Sequence, residues 1–216
     1  MSTIIECMEH GVIHEPIELL GQRGPIDHRR RQQILEAADE HFRLYGYRKT
    51  TIADIAKTIH LSTAYLYKFF ESKQAIGEAI CSQCLSEVLD EIKESTGATA
   101  SPVEKLRRVF VGLEKNGWRV FNEQRKIHDL VQASFEEHWS SQTRFQESRY
   151  KIVREIILLG RESGEFERKT PLEETCGAIA RMTDLFFHPV LLQQAGENQA
   201  DEALAVANVA IRSLSV

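Results

Sequence analysis

Hydroxyl and basic side chains that could bind a nucleic acid are concentrated between Thr50 and Lys73, where the chain reads TTIADIAKTIHLSTAYLYKFFESK. Hydroxyl and ammonium groups donate hydrogen bonds to phosphate oxygens and base edges, so this composition is suited to DNA. Upstream, the arginines at positions 29–31 could contact phosphates or an adjacent minor groove, or could simply be a solubilising charge run. The residues predicted to contact DNA are Arg29, Arg30, Thr51, Thr63, Ala64, Tyr65, Tyr67, Lys68 and Lys73.

Two short helices joined by a tight turn are predicted to position these side chains. Thr51 is a suitable N-cap for the first helix, and Asp54 three residues later gives an approximate capping box. Apolar residues at helical spacing continue this helix, and Ser62 or Thr63 can cap the second one. Ala64 keeps the two helices close, as a helix-turn-helix requires. The second helix would turn its apolar face inwards and present its polar face to DNA, with Leu66, Phe69 and Phe70 inside and Thr63, Tyr65, Tyr67 and Lys68 outside.

An ordered set of residues in and before this segment resembles the TetR family of one-component transcriptional regulators. The resemblance implies a pocket for a small-molecule inducer in the C-terminal part of the chain. Three positions depart from the family pattern. His60 stands where the turn commonly has Gly and must accept a positive φ or use another turn geometry, Tyr65 replaces a usually small residue, and Ala53 removes a polar side chain. The matching residues are Ile34, Ala37, Ala38, Phe42, Gly46, Tyr47, Thr50, Thr51, Asp54, Ile55, Ala56, Leu66, Tyr67, Phe69, Phe70, Ser72 and Lys73.

The distribution of charge also separates one segment from the rest. Residues 23–73 contain ten Lys and Arg against six Asp and Glu, a net charge of +4, whereas residues 1–22 sum to −4 and residues 74–216 to −5. A basic module attached to an acidic body is typical of a protein that meets phosphates with one face. We therefore predict an N-terminal extension (1–22), a helix-turn-helix DNA-binding domain (23–73) and a helical ligand-binding and dimerisation domain (74–216).

The remainder of the chain is predicted to be helical throughout. Apolar residues keep a helical spacing after residue 73, and no strand pattern interrupts them. Breaks are expected near Asn116-Gly117, Ser140-Ser141, Ser163-Gly164 and Gly196, and Thr170-Pro171 is expected to be a cap followed by Pro at the first helical position. The predicted fold is all-α with about nine helices in two parts.

A concentration of aromatic residues in the middle region is the predicted ligand site. Aromatic walls with a few polar groups are typical of a small-molecule pocket between helices. The same rings would fit a helical core, and for any single ring the core is the better interpretation. The predicted ligand-binding residues are Phe110, Trp118, Phe121, His128, Gln132, Phe135, Trp139 and Tyr150.

Several other functions lack support in the sequence. No nucleophile-and-base set, glycine-rich phosphate loop or metalloprotease motif is present, so we expect no enzyme activity and no cofactor. His128 and His138 lie nearly three helical turns apart, too far to share a metal ion.

Cys81 and Cys84 have the spacing of a metal or redox pair but no second pair nearby, so ordinary thiols are expected. Without a long apolar run or a basic, apolar leader, the chain is predicted to be cytoplasmic and not to bind membranes.

Small and apolar residues at the C-terminus predict how two copies would associate. The last two helices contain Gly177, Ala178, Ala180, Ala203 and Ala207, which would allow close packing across a two-fold axis or, alternatively, a tight hairpin within one chain. A symmetric pair is also needed to bind two half-sites of a palindrome.

The combined prediction is a homodimeric DNA-binding regulator, most simply a repressor that leaves its operator when a small molecule binds, with residues 72–96 transmitting the change. The alternatives are a helical ligand- or partner-binding protein with an unused DNA-binding module, and a thiol redox-sensing regulator.

Overall fold

The computed structural model describes residues 25–120, 128–194 and 199–216. The predicted N-terminal extension, Phe121 and the expected break at Gly196 lie outside these residues. The prediction of an all-α fold is confirmed: a single isolated bridge between Phe166 and Ser215 is the only extended pairing within the described ranges. The α-helices of these ranges are α1 (Pro25–Tyr45), α2 (Ile52–Thr58), α3 (Thr63–Leu66), α4 (Lys73–Gly97), α5 (Pro102–Trp118), α6 (His128–Glu136), α7 (Ser140–Ser163), α8 (Leu172–Met182), α9 (Pro189–Gln194) and α10 (Gln199–Leu214), with a 3₁₀ turn at Thr183–Phe186.

Side-chain caps fix the starts of the helices in the N-terminal part. Thr51 and Asp54 form the expected capping box at α2. Ser62, rather than Thr63, caps α3 by accepting a hydrogen bond from the Tyr65 N–H. His60 in the intervening turn has a φ of 55°, the positive value expected where relatives commonly have Gly.

Two expected helix boundaries fall within one residue of those in the structure. Asn116 and Gly117 are buried in the last turn of α5, which ends at Trp118, next to the expected break. A Cβ on Gly117 would stand 2.0 Å from the carbonyl oxygen of Phe186, so this glycine permits a close approach of two backbones. Pro171 occupies the N-cap of α8, so the helix begins one residue later than Thr170-Pro171 predicted.

The buried side chains form two clusters that α4 connects. Ile76, Ile80 and Cys81 in the first half of α4 belong to the N-terminal cluster, which also includes Leu130 of α6 and Trp139 just after it. The second half of α4 contributes Leu85, Val88, Leu89 and Ile92 to the larger C-terminal cluster. Packing therefore runs across the predicted domain boundary at residue 73, because α4 and α6 follow this boundary in the chain and contribute side chains to the N-terminal cluster. Across the described residues, none of the helices has the length and apolar character that a membrane span requires.

Candidate nucleic-acid interface and ligand cleft

The outer surface of α3 and of the turn that follows it presents several of the predicted DNA-contacting side chains. Thr63, Ala64, Tyr67 and Lys68 are exposed. Tyr65 differs, because it is half-buried with its ring edge-on to Phe69 at a centroid distance of 5.3 Å. Lys68 lies above the Tyr65 ring, with Nζ 5.5 Å from its centroid. The surface available to DNA therefore consists of hydroxyl groups and one ammonium group, which lies over the Tyr65 ring of the Tyr65–Phe69 pair.

The arginines at the start of α1 divide into two roles. Arg29 and Arg30 are exposed, and Arg30 donates a hydrogen bond to Gln33 within the helix. Arg31 donates to the backbone oxygen of Phe69 at 3.0 Å, and its guanidinium stacks on the Phe70 ring at 4.2 Å. Arg31 therefore anchors the end of α3 to α1, a role that sequence reasoning missed because nothing local connects residues 38 positions apart.

Two predicted DNA contacts also have roles within the fold. The Thr51 hydroxyl and backbone N–H both donate to the Asp54 carboxylate, and these hydrogen bonds lower the pKa of Asp54. Lys73 donates from Nζ to the backbone oxygens of Tyr47 at 2.9 Å and Thr50 at 3.1 Å, so its ammonium holds the segment before α2. Partial burial lowers the pKa of Lys73.

Helix α6 is attached directly to the loop that precedes the helix-turn-helix. The Asp129 carboxylate accepts hydrogen bonds from the N–H groups of Tyr47 at 2.9 Å and Arg48 at 3.0 Å. Gly46 leaves room for this contact, because a Cβ there would stand 2.9 Å from Asp129 Oδ2 and the residue has a φ of 89°. About two turns further along α6, Glu136 pairs with Arg48 at 2.7 Å. We call the contact of the Asp129 carboxylate with the N–H groups of Tyr47 and Arg48 the α6 clamp.

Trp139 packs against Tyr47, a residue of the same loop, from the protein interior. Its ring is fully buried and meets the Tyr47 ring edge-on at 5.5 Å. It also covers Gly77 of α4, where a Cβ would lie 2.8 Å from the Trp139 ring. The structure therefore places Trp139 in the N-terminal cluster.

Among the described residues, a narrow cleft between α6, α7 and the 3₁₀ segment is a candidate for a ligand site. It is shallow, because about 220 Å³ of empty space is reached only when the open solvent at its mouth is included. Of the predicted ligand-binding residues only Phe135 lines it, with its ring 4.8 Å from the His188 ring. The remaining lining residues, which sequence reasoning missed, are Gln142, Phe145, Gln146, Arg149, Asp184, Phe187 and His188.

The other predicted ligand-binding residues are dispersed. Phe110 is fully buried in the C-terminal core, where it contacts Phe186. Trp118 is exposed at the end of α5, and Gln132 donates to Glu136 on the outside of α6. Tyr150 donates to the Glu173 carboxylate, which raises the pKa of the phenol to about 12. Phe121 and the His128 side chain lie outside the described residues.

The cysteines and metal-binding residue types show no assembled site among the described residues. Cys81 and Cys84 are free thiols, and burial raises the pKa of each to about 12. A thiol with so high a pKa is a poor nucleophile at neutral pH. No group of three or more His, Cys, Asp or Glu in the described ranges could hold a metal ion.

The C-terminal helices leave apolar side chains uncovered. Helix α10 packs on α5 and buries Ala203, Ala207, Ala210 and Leu214 in that contact. Leu204 and Val209 on its other side are exposed, as is Leu185 after α8.

Comparison with known proteins identifies two matching family models. Residues 34–80 match the model described as bacterial regulatory proteins of the tetR family. Residues 102–206 match a model described as a tetracyclin repressor-like C-terminal domain. Together the two models account for most of the chain.

Curated relatives match over part of their length. An uncharacterized HTH-type transcriptional regulator, YhgD of Bacillus subtilis, is 28% identical over 129 residues, which are 59% of this chain and 63% of that protein. The HTH-type transcriptional repressor KstR2 of Mycolicibacterium smegmatis is 28% identical over 144 residues, 63% of this chain and 67% of the relative. The chain thus spans about two thirds or less of the length of the curated relatives that it matches.

Solved structures share the fold over nearly their whole length. The transcriptional regulator FadR from Bacillus subtilis, solved in complex with stearoyl-CoA, aligns with a TM-score of 0.64 at 18% identity and covers 85% of this chain and 98% of its own. The ketosteroid transcriptional regulator KstR2 of Mycobacterium tuberculosis aligns with a TM-score of 0.54 at 18% identity, covering 92% of this chain and 100% of its own.

Proposed function

The chain belongs to the TetR family of bacterial regulatory proteins, and from this premise we propose that it is a homodimeric transcriptional repressor released from a palindromic operator by a small molecule. The observation that carries the proposal is the exposed polar surface of α3 and of the turn after it. Thr63 in α3 and Tyr67 and Lys68 just beyond its end are exposed on a capped helix-turn-helix. Such side chains contact phosphates and base edges when the second helix of this motif enters the major groove.

Selection of bound sequences from random double-stranded DNA tests this function. We expect a palindrome whose half-sites are separated by about one helical turn or a multiple of it, because a two-fold dimer presents two copies of α3. A Lys68→Glu variant selected in parallel is the control and should recover far fewer sequences. If the wild-type chain shows no salt-sensitive, sequence-selective binding, the rival function is favoured: a helical ligand- or partner-binding protein with an unused DNA-binding module.

The proposed dimer forms through α8 and α10, the two helices that are rich in small residues. Support comes from apolar side chains of α10, since Leu204 and Val209 are exposed on a helix whose small residues permit helix–helix contact. Exposed apolar side chains of this kind can be buried in an interface between proteins. An isologous contact would bury the same patch on both copies.

Sedimentation of two matched variants tests the dimer interface. Val209 in α10 is 59% exposed and Leu159 in α7 is 46% exposed. Val209→Glu should shift the dimer to monomer, because two copies would bring like charges together in a desolvated contact. Leu159→Glu should leave it a dimer. If only Leu159→Glu converts the dimer to monomer, the dimer interface lies at α7 instead.

Release by a small molecule is proposed to run through α6 as well as α4. Phe135 at one end of α6 lines the cleft, and Asp129 at the other holds the loop before the helix-turn-helix. A ligand that favours one position of α6 would therefore favour one position of that loop. Direct redox sensing is disfavoured, because the raised pKa values of Cys81 and Cys84 keep both thiols protonated.

A further inference from the structure

The backbone of the loop at residues 46–50 is bonded to one acidic and one basic side chain, which come from two different helices. Asp129 of α6 accepts hydrogen bonds from the N–H groups of Tyr47 and Arg48, the contact that forms the α6 clamp. Lys73, the first residue of α4, donates to the carbonyl oxygens of Tyr47 at 2.9 Å and Arg48 at 3.4 Å. Backbone polar groups in a folded chain need partners, and this loop takes several of its partners from α4 and α6.

The peptide group that joins Tyr47 to Arg48 is held at both of its ends. Its carbonyl oxygen accepts a hydrogen bond from the Lys73 ammonium at 2.9 Å, and its N–H donates to the Asp129 carboxylate at 3.0 Å. The cation therefore lies at the negative end of the peptide dipole and the anion at the positive end. Hydrogen bonds joined in this way polarise one another, so each of the two bonds is stronger while the other is present.

The Lys73 ammonium has three N–H groups and three carbonyl acceptors within the protein. Besides the oxygens of Tyr47 and Arg48, it donates to the backbone oxygen of Thr50 at 3.1 Å. Its Nζ also lies 4.5 Å from the centroid of the Tyr47 ring, a cation–π contact. Burial lowers the pKa of Lys73, and the nearby charge of Asp129 acts in the opposite direction. The ammonium could therefore bind a phosphate only by giving up one of these hydrogen bonds.

These contacts lie at the two ends of the helix-turn-helix. Thr50 directly precedes Thr51, the residue that caps α2, and Lys73 begins the helix that follows the motif. The hydrogen bond from Lys73 to Thr50 therefore joins the start of the motif to α4. Because the cap determines where α2 begins, a displacement of this loop would also displace α2.

We propose that Lys73 is a positioning residue of the DNA-binding motif rather than a phosphate contact, and that it acts jointly with Asp129 through the peptide group between Tyr47 and Arg48. The two side chains keep the loop, and with it α2, in the arrangement that binds DNA. Removal of either one weakens the hydrogen bond that the other makes. The positioning role rests on the proposed function, whereas the joint action of the two side chains does not depend on it.

Fluorescence anisotropy over a salt series separates positioning from phosphate contact, with the duplex recovered by selection from random DNA as the probe. Lys73→Met should lower the affinity about tenfold, the equivalent of one net hydrogen bond, and keep the wild-type slope of log affinity against log salt. Lys68→Met should reduce that slope by about one. Lys73→Gln has no charge but keeps N–H donors, so its affinity should lie between those of the wild type and Lys73→Met. A slope reduced by about one in both Lys73 variants, or unchanged affinity in folded Lys73→Met, would overturn the positioning role.

A double-mutant cycle of urea unfolding tests the joint action without DNA. The unfolding free energy lost in the variant that combines Lys73→Met with Asp129→Ala should be smaller than the sum of the two single losses, because each single change already weakens the remaining bond. The control cycle combines Lys73→Met with Gln132→Ala, whose amide donates to Glu136, and its losses should add. Additive losses in both cycles would overturn the joint action. If Lys73→Met does not fold, Lys73→Gln takes its place in both cycles.

The two measurements distinguish a failure of this inference from a failure of the proposed function. If the wild-type chain selects no duplex, the proposed function and the positioning role fail together, while a non-additive urea cycle still supports the joint action of Lys73 and Asp129. If the wild-type chain selects a palindrome and Lys73→Met loses salt slope as Lys68→Met does, the proposed function stands and Lys73 is a phosphate contact.

Discussion

At the scale of single residues, the side chains predicted to contact DNA separate into those at the surface and those that hold the motif together. Lys68 is exposed, whereas Lys73 is engaged with carbonyl oxygens of the loop before α2. Both were obvious candidates for phosphate contacts from residue type alone. Residue type gives the chemistry that is available, but only the fold shows that Lys73 hydrogen-bonds to backbone carbonyls within the motif.

Lys68 and Thr63 should affect DNA binding in different ways. Lys68→Ala should weaken binding to all sequences and reduce the slope of log affinity against log salt by about one, because one phosphate contact is lost. Thr63→Ala should instead alter the preferred bases with little change in slope. Fluorescence anisotropy over a salt series measures both effects.

The control for these two variants is Lys151→Ala, an exposed lysine of α7. It should change neither the affinity nor the salt slope beyond a few tenths. If all three substitutions act equally on every sequence, the assignment of α3 as the DNA-reading helix is wrong.

At the scale of elements, the sequence predicted features that depend only on neighbouring residues. The capping box at Thr51 follows from neighbouring residues and is present in the structure, and His60 adopts the positive φ that was one of its two predicted options. The ligand cleft could not be predicted in this way. It joins Phe135 of α6, Arg149 of α7 and His188 beyond α8, and neither a spacing nor a motif in the sequence relates these three.

The same limit applies to the contacts of one tryptophan and one glycine. Trp139 was predicted as a ligand-binding residue because large rings cluster in its region, and the structure shows that its ring packs on Tyr47, almost a hundred positions away. Gly117 lies next to the expected helix end, but the sequence could not show that it admits the backbone of Phe186. Both outcomes depend on contacts between distant segments, which a periodicity cannot show.

Two glycines of α4 provide a matched test of the contact with Trp139. A Cβ on Gly77 would lie 2.8 Å from the Trp139 ring and 3.0 Å from both Leu130 and Tyr47, whereas a Cβ on Gly97 meets nothing within 4 Å. Gly77→Ala should therefore destabilise the protein by about 1–3 kcal/mol through overpacking. Gly97→Ala should stay within about 0.5 kcal/mol of the wild type. Urea unfolding measures both, and equal effects would contradict the close packing at Gly77.

The α6 clamp should influence DNA binding without touching DNA. Asp129→Ala removes the acceptor of two N–H groups and should cost about 1.5–3 kcal/mol of stability. It should also lower operator affinity, because the loop before α2 loses its support. The salt slope should stay unchanged, since no phosphate contact is removed.

Gln132→Ala is the control on the same helix, because its amide hydrogen-bonds only to Glu136 in the described contacts. It should leave operator affinity at the wild-type value. A loss of stability without any loss of affinity in Asp129→Ala would show that the clamp supports the fold but does not position the DNA-binding motif.

At the scale of the whole molecule, the two buried clusters are not independent. Helix α4 contributes side chains to both of them, and Leu130, Ala133 and Trp139 connect the N-terminal cluster to a helix that also lines the cleft. The cleft and the helix-turn-helix are therefore connected by packed helices rather than by a flexible linker. By thermodynamic linkage, any ligand that weakens operator binding must itself be bound more weakly by the same factor when DNA is present.

This shared packing predicts that the chain unfolds as one cooperative unit. The sequence has two tryptophans, so Trp118→Phe leaves Trp139 as a fluorescent reporter buried in the N-terminal cluster. Far-UV circular dichroism reports chiefly on the longer helices, most of which lie in the C-terminal cluster. If α4 and α6 couple the clusters, the two signals should give coincident urea transitions with the same midpoint and slope.

Loss of Trp139 fluorescence at a lower urea concentration than loss of helicity would instead mean that the N-terminal cluster unfolds by itself. In that case the clamp and α4 would be too weak to transmit a change from the cleft to the helix-turn-helix.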